Sequence, residues 1–156
     1  MTSKIEIIKL DQDRWLEFKN LTLRALKEED YAFGASYEEG LKYTEQQYRK
    51  DLESSLEGKN HWRVFAVVDK NLTGTIAAYT EKGQKVEHIA NIVNMYIVPE
   101  IRGGGVASLL MEAILKEIKL NPKVIKINLR VNTNSEKAIK LYEKFGFKII
   151  AKLEKE

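Results

Sequence analysis

Three consecutive glycines, Gly103-Gly104-Gly105, separate Arg102 from Val106-Ala107-Ser108. Ahead of them an apolar run, Met95-Tyr96-Ile97-Val98, stops at Pro99, which cannot donate to a sheet ladder. Behind them Val106, Leu109, Leu110, Ala113, Ile114 and Ile118 recur at helical spacing. The pattern predicts a strand, a tight turn and a helix. A helix start leaves backbone N–H groups unpaired at the positive end of the dipole, and glycines let an anion approach them. Such a turn can cradle a phosphate or pyrophosphate, or it can simply pack a strand closely on a helix. Two common phosphate loops do not fit. Val106-Ala107 stands where a Walker loop needs Lys-Ser or Lys-Thr, and Ser108 stands where a dinucleotide fingerprint needs Gly or Ala.

Acid–base chemistry has fewer candidates. Glu87 and His88 fall on what reads as a long strand over residues 86–98, and strand neighbours face opposite ways, so at most one faces a cleft. An imidazole titrates near neutrality and can take an amine proton directly or through water. Either residue could equally be an ordinary polar contact. Residues 30–43 have no clean period and read as a long loop, the kind that often binds. Within it Glu38 and Glu39, beside Tyr31, Phe33 and Tyr37, offer carboxylates and ring faces to a cationic amine. A solvated acidic pair is the alternative.

The elements that would position these groups follow from periodicity. Ile5-Glu6-Ile7-Ile8 reads as a first strand; Asp11 can cap a helix with Trp15, Phe18, Leu21 and Ala25 on one face. Thr44 and Gln47 make a capping box for a helix continuing through Tyr48, Leu52 and Leu56. Strands over residues 63–68 and 72–79 meet at the turn Asp69-Lys70-Asn71. The helix after the glycines ends near Asn121-Pro122. In residues 123–131, Ile125, Ile127, Leu129 and Val131 face one way and Lys126, Asn128 and Arg130 the other. A last helix over residues 135–144 is expected to bury Ala138, Leu141 and Phe145, and residues 147–151 to close as a strand. This order reads as a mixed sheet with helices on its faces.

At 156 residues and 44% hydrophobic, the sequence reads as a single globular domain over residues 1–156. Without cysteine there are no disulfides or thiolate ligands, and with His61 and His88 alone a histidine-rich metal site is not expected. The expectation is no metal. The net charge of +3 is dispersed among carboxylates, which gives no support to nucleic-acid binding and mildly favours an anionic cofactor. No apolar run is long enough to span a bilayer and no signal-peptide pattern stands at Met1, so a cytoplasmic, bacterial protein is the default.

The run Arg-x-x-Gly-x-Ala from Arg102 to Ala107, behind Val98-Pro99-Glu100, resembles the CoA-binding signature of the GNAT N-acetyltransferase superfamily. Residues 134–147, with Asn134, Ala138, Tyr142, Gly146 and Phe147, resemble that superfamily's C-terminal motif, and the two lie in the right order. The resemblance implies a mixed, mostly antiparallel β-sheet with helices on both faces. It implies acetyl transfer from acetyl-CoA to a primary amine of a small molecule or peptide, with Gly103, Gly104, Gly105, Val106, Ala107 and Ser108 holding the pyrophosphate beside Arg102. Arg102 could instead brace the loop. It also implies that the fourth strand splays from the fifth, so that Met95, Tyr96 and Ile97 pair with the pantetheine arm and an N–H near Met95 meets the thioester oxygen. Tyr142 is then the general acid, since a tyrosine keeps its proton at neutral pH. Ser135 stands where the superfamily most often has Asn, so the cofactor contact falls on Ser135 or on Asn134. Glu87 or His88 is the candidate base, and Tyr37, Glu38 and Glu39 the candidate substrate contacts. A non-catalytic acyl-CoA-binding, sensing or interaction module is the competing expectation. Such proteins usually carry a seventh strand; only Lys152-Leu153-Glu154-Lys155-Glu156 follows here, so either the sheet ends early or the chain is shortened. The uncovered edge leads to an expected homodimer, with no membrane partner.

Overall fold

The computed structural model describes residues 4–29, 32–83, 85–131 and 135–150. Its centre is a five-stranded sheet in the order β1 to β5. Strand β1 (Ile5–Ile8) pairs antiparallel with β2 (His61–Val68), β2 with β3 (Asn71–Thr80), and β3 with β4 (Ile89–Ile97). Only β5 (Lys126–Leu129) joins in parallel, against the first half of β4. The β2–β3 turn is tight because Asp69 and Lys70 adopt positive φ, 51° and 69°.

Between β1 and β2 lie three helices. Asp11 Oδ1 accepts the Asp13 N–H at 2.8 Å and opens a 3-10 turn at Gln12–Arg14, which leads into α1 (Trp15–Glu28). A second 3-10 turn, Ala32–Gly34, precedes α2 (Tyr37–Lys42), and α3 (Glu45–Glu57) begins at the predicted capping box on Thr44 and Gln47. The long loop expected over residues 30–43 is therefore in part helical. Its signal was Ser36, whose hydroxyl accepts the Glu39 N–H at 3.2 Å, and Gly40 leaves room for Leu26 and Leu23 of α1 to lie against the short helix.

The sheet is covered on both faces, which is why β2 and β3 read as near-continuous apolar runs. Helix α4 (Val106–Lys119) buries Val106, Leu110, Met111, Ile114 and Ile118 against Trp62, Val64, Ala66, Ile76, Ala78, Ala90 and Ile92. Leu109, expected on that stripe, is 37% exposed, and Met111 takes its place. On the opposite face α1 and α3 supply Phe18, Leu21, Ala25, Tyr48 and Leu52, packed on Phe65, Tyr96 and Val98. The Phe18 ring meets Tyr48 and Phe65 edge-on, each at 5.5 Å. Leu56, in the last turn of α3, stays 43% exposed.

Two expectations near the C-terminus fail. Helix α5 (Glu136–Lys144) buries no residue completely; Ala138, Leu141 and Phe145 are only half-covered. Residues 147–150 are not a strand, and Ile149 and Ile150 are 60% and 79% exposed. No described strand lies beyond β5 for them to pair with, so among the described residues the sheet's edges are β1 and β5, not the segment on which a homodimer was expected. Asn134 and residue 151 lie outside the described residues. Among the described residues no helix is long and apolar enough to cross a membrane.

Candidate active site

Strand β4 changes partners halfway along. Its pairing with β5 runs from Ile89 with Lys126 to Ile92 with Leu129 and stops there. On its other side, Ala77 faces Val93 but Thr75 faces Tyr96, so β4 carries one extra residue in a bulge. Asn94 lies in it at φ 61°, a conformation asparagine tolerates better than most residues. The bulge turns the second half of β4 away from β5. From residue 93 onward one edge of β4 has no strand partner among the described residues, which is the splay the resemblance implies.

A cavity of about 220 Å³ opens in this gap, lined by Glu29, Phe33, Ile92, Val93, Asn94, Met95, Tyr96, Leu129, Arg130 and Tyr142. Met95 and Ile97 pack toward the α4 core, while Tyr96 turns into the α1–α3 core. The Tyr142 hydroxyl points at Met95 Sδ, 3.7 Å away, and its ring meets Phe147 at 6.3 Å. A thioether is a weak acceptor, so this hydroxyl remains available to a stronger one. Burial raises the Tyr142 pKa above that of free tyrosine, keeping its proton in place.

Beyond β4, Pro99 opens a 3-10 turn, Pro99–Ile101, and the glycines follow. Gly103 and Gly105 take φ of 88° and 84°, and a Cβ at either would meet nothing within 4 Å, so the space over the turn is open. Gly105 occupies the N-cap of α4 without a side-chain cap, and the first helical bond is Leu109 N–H to Gly105 C=O at 3.2 Å. Among the described residues no backbone carbonyl takes the N–H of Gly103, Gly104, Gly105, Ala107 or Ser108. Val106 turns its side chain into the core and contributes only backbone. The turn therefore offers open space and unspent donors, the two things that binding an anion at a helix start requires.

Arg102 braces it. Its Nε donates to Ile97 O at 2.9 Å and its Nη2 to Glu28 Oε1 at 2.7 Å, with Glu29 at 3.7 Å. The other Glu28 oxygen accepts the Tyr96 hydroxyl at 2.6 Å. That bond, with Arg102 beside it, pulls the Glu28 pKa down; burial and Glu28 push Tyr96 up to about 12. The bracing role is the one the structure realises for Arg102, and it also occupies the Ile97 carbonyl.

The candidate bases are not brought here. Residues 85–88 form a turn, because β4 begins only at Ile89. The His88 carbonyl accepts from Ile125 and Lys126, and Glu87 lines a separate surface pocket with Lys59, Lys82 and Lys123. From His88 to Met95 the strand rises about 23 Å. Tyr37, Glu38 and Glu39 sit in α2 and line neither this cavity nor the cradle; Phe33 does reach the cavity, while Tyr31 lies outside the described residues. Phe33 is held at φ 61°, a rare backbone for an aromatic residue. Its ring lies 5.8 Å from the guanidinium of Arg63, whose side chain is 4% exposed. Arg63 also stacks on Phe18 and donates to Thr75 Oγ1 at 3.3 Å, with Asp51 at 3.6 Å. Ser135 caps α5 with no side-chain bond of its own and is exposed. Glu29 and Arg130 are the charged lining residues that the sequence reading did not select. Arg130 had a signal, since strand alternation already set it apart from Leu129.

Residues 60–149 match the family described as acetyltransferase (GNAT) domain. An N-alpha-acetyltransferase of Saccharolobus solfataricus is 31% identical over 90 residues, covering 53% of this chain and 54% of the relative, so the match spans about half of each. Among solved structures, an acetyltransferase of the GNAT family from Streptococcus pneumoniae superposes with TM-score 0.81 at 20% identity, over 92% of this chain and 83% of that one. A PaiA N-acetyltransferase from Thermoplasma acidophilum, in complex with coenzyme A, gives 0.71 at 21% identity, over 94% and 91%. Glucosamine-6-phosphate N-acetyltransferase from Arabidopsis thaliana gives 0.71 at 14% identity, over 98% and 97%. These structural likenesses establish the shared fold.

Proposed function

We propose that this chain, which belongs to the acetyltransferase (GNAT) family, moves an acetyl group from acetyl-CoA to a primary amine of a small molecule or peptide. The observation that carries the reading is the pairing of an anion cradle at Gly103 to Ser108 with a strand gap one turn upstream, in which the Tyr142 hydroxyl already faces a sulfur atom. The open space over Gly103 and Gly105 and their unpartnered N–H groups fit a pyrophosphate. Acetyl-CoA supplies the thioester; the rest falls to the chain.

Residues 95–97 offer the free strand edge on which an extended arm can lie, with Arg102 holding the Ile97 carbonyl end rigid. A backbone N–H near Met95 polarises the carbonyl. As the amine nitrogen bonds to the acetyl carbon and the carbon–sulfur bond breaks, Tyr142 Oη gives its proton to the leaving sulfur, the amine proton passes to solvent, and solvent returns a proton to Tyr142. No step is assigned to Glu87 or His88. Ser135 or Asn134, beside it in sequence, is the further cofactor contact that belongs to this reading, and Ser135 is exposed. A cytoplasmic setting belongs to the same proposal.

The test measures free thiol released from acetyl-CoA over a panel of primary amines, with acetyl-CoA affinity read separately by calorimetry. Amine-dependent release supports the reading. Tight binding without release for any amine favours the sensing module, a reading kept by the distance of Glu87 and His88 from the cavity.

A further inference from the structure

Resting on the acetyl-transfer reading, we propose that Arg130 receives an anionic group on the acceptor, so that the substrate is a small amine carrying a carboxylate or a phosphate. Arg130 is exposed, lines the cavity, and makes no ion pair among the described residues. The strand before it fixes where its side chain goes. Ile127 and Leu129 of β5 pack toward the α4 core, so the next residue falls on the opposite face, where Phe33 and Glu29 close the cavity.

Register then separates this cation from the cofactor's phosphates. Leu129 lies opposite Ile92 in the last pair of the ladder, so Arg130 follows where the strands part and lines the cavity with Val93, Asn94, Met95 and Tyr142. The cradle begins only after β4 has run on to Ile97 and through the turn at Pro99–Ile101. From residue 93 to the end of β4 alone is about 13 Å. Arg130 therefore stands at the acyl end of the gap, where the acceptor enters.

The charges around the cavity divide the work. Among the described lining residues Glu29 is the one carboxylate, with Arg102 at 3.7 Å. Arg102 itself is committed to Glu28 and to the Ile97 carbonyl. An acceptor anion thus finds one unspent guanidinium, on the β5 wall, while its ammonium side finds Glu29 and the Phe33 ring. A planar guanidinium can take a carboxylate or a phosphate through two parallel hydrogen bonds. The cavity of about 220 Å³ must also take the acyl end of acetyl-CoA, so the part of the acceptor it receives is small.

The experiment uses matched amines in the full chain: glycine against glycinamide for a carboxylate, and phosphoethanolamine against ethanolamine for a phosphate. In at least one pair kcat/KM should favour the anionic member, and Arg130→Gln should lower that ratio about tenfold or more. The pair that responds identifies the anion. Neutral members acetylated as well as anionic ones, or a ratio unmoved in Arg130→Gln, overturns the proposal. A second readout is independent of turnover. In CoA-saturated protein, the side-chain Nε–H resonance of Arg130 should shift on titration with inorganic phosphate or acetate, and no shift overturns the proposal. A shift without acetylation of any amine counts against acetyl transfer and for the anion site.

Discussion

Helices α4 and α5 flank the gap between β4 and β5 with opposite constructions. Helix α4 sends five side chains into the core and leaves its first turn bare; α5 buries none and reaches the gap through half-covered Tyr142. The difference separates two requirements of the site. Fixed dipoles are useful only when they do not reorient, and the helix whose N–H groups are proposed to face the anion is the one locked by the core. A proton donor must instead meet a partner absent from the free protein. Tyr142, the proposed donor, sits on the helix that buries no side chain completely, with only a thioether for an acceptor.

The sharpest way to break the comparison is Tyr142→Phe. It removes the hydroxyl and keeps the ring against Phe147. Turnover should fall about 10²–10⁴-fold, the usual worth of general acid catalysis, while acetyl-CoA affinity and stability hold. Pre-steady-state rates check that chemistry is limiting, and an unchanged chemical step removes Tyr142 from the mechanism. Burial raises its pKa, so loss of the donor proton in the parent should set in only above the ordinary tyrosine value near 10.

Ile114→Ala tests the other helix. Ile114 is wholly buried at the centre of the α4 face, and truncation there should cost about 2–5 kcal/mol in chemical denaturation. A loss below about 1 kcal/mol would mean that α4 is not the locked element.

Gly104→Glu addresses the cradle without straining it. Unlike Gly103 and Gly105, Gly104 does not need a positive φ, and its Cβ would meet Ile101 O at 3.6 Å, an ordinary contact. A carboxylate at a helix start does not oppose the dipole, so the fold should keep its stability. It competes with a phosphate for the same N–H groups, and calorimetry should record acetyl-CoA binding weakened by about tenfold or more. Equal affinity in a folded variant would show that the pyrophosphate lies elsewhere.

Much of this contrast was legible in the sequence for a physical reason. Helix α4 is announced by its own periodicity and by the glycines before it, and both are local signals. The α3 capping box and the β2–β3 turn were equally local. What escaped depends on long-range pairing. Residues 147–150 have a strand's composition, but composition does not supply a neighbouring strand, and the described sheet ends at β5. Glu87 and His88 continue an apolar run, yet β4 starts after them. Glu29 follows the end of α1 with no periodic signal, and only the fold carries it to the cavity wall.

The smallest effect expected is on α5, and it sharpens the comparison most directly. Leu141 precedes Tyr142 and is only half-covered, so Leu141→Ala removes about half the burial of a core leucine, roughly 1 kcal/mol. If α5 opens more readily than α4, that loss appears first as local opening. Amide exchange over residues 136–144 should quicken while residues 106–119 keep their protection. Turnover should fall by less than Tyr142→Phe produces, because the hydroxyl remains and is only less often in place. A variant in which both helices exchange faster together would make them one cooperative unit. The assignment of one as fixed frame and the other as adjustable donor would then be wrong.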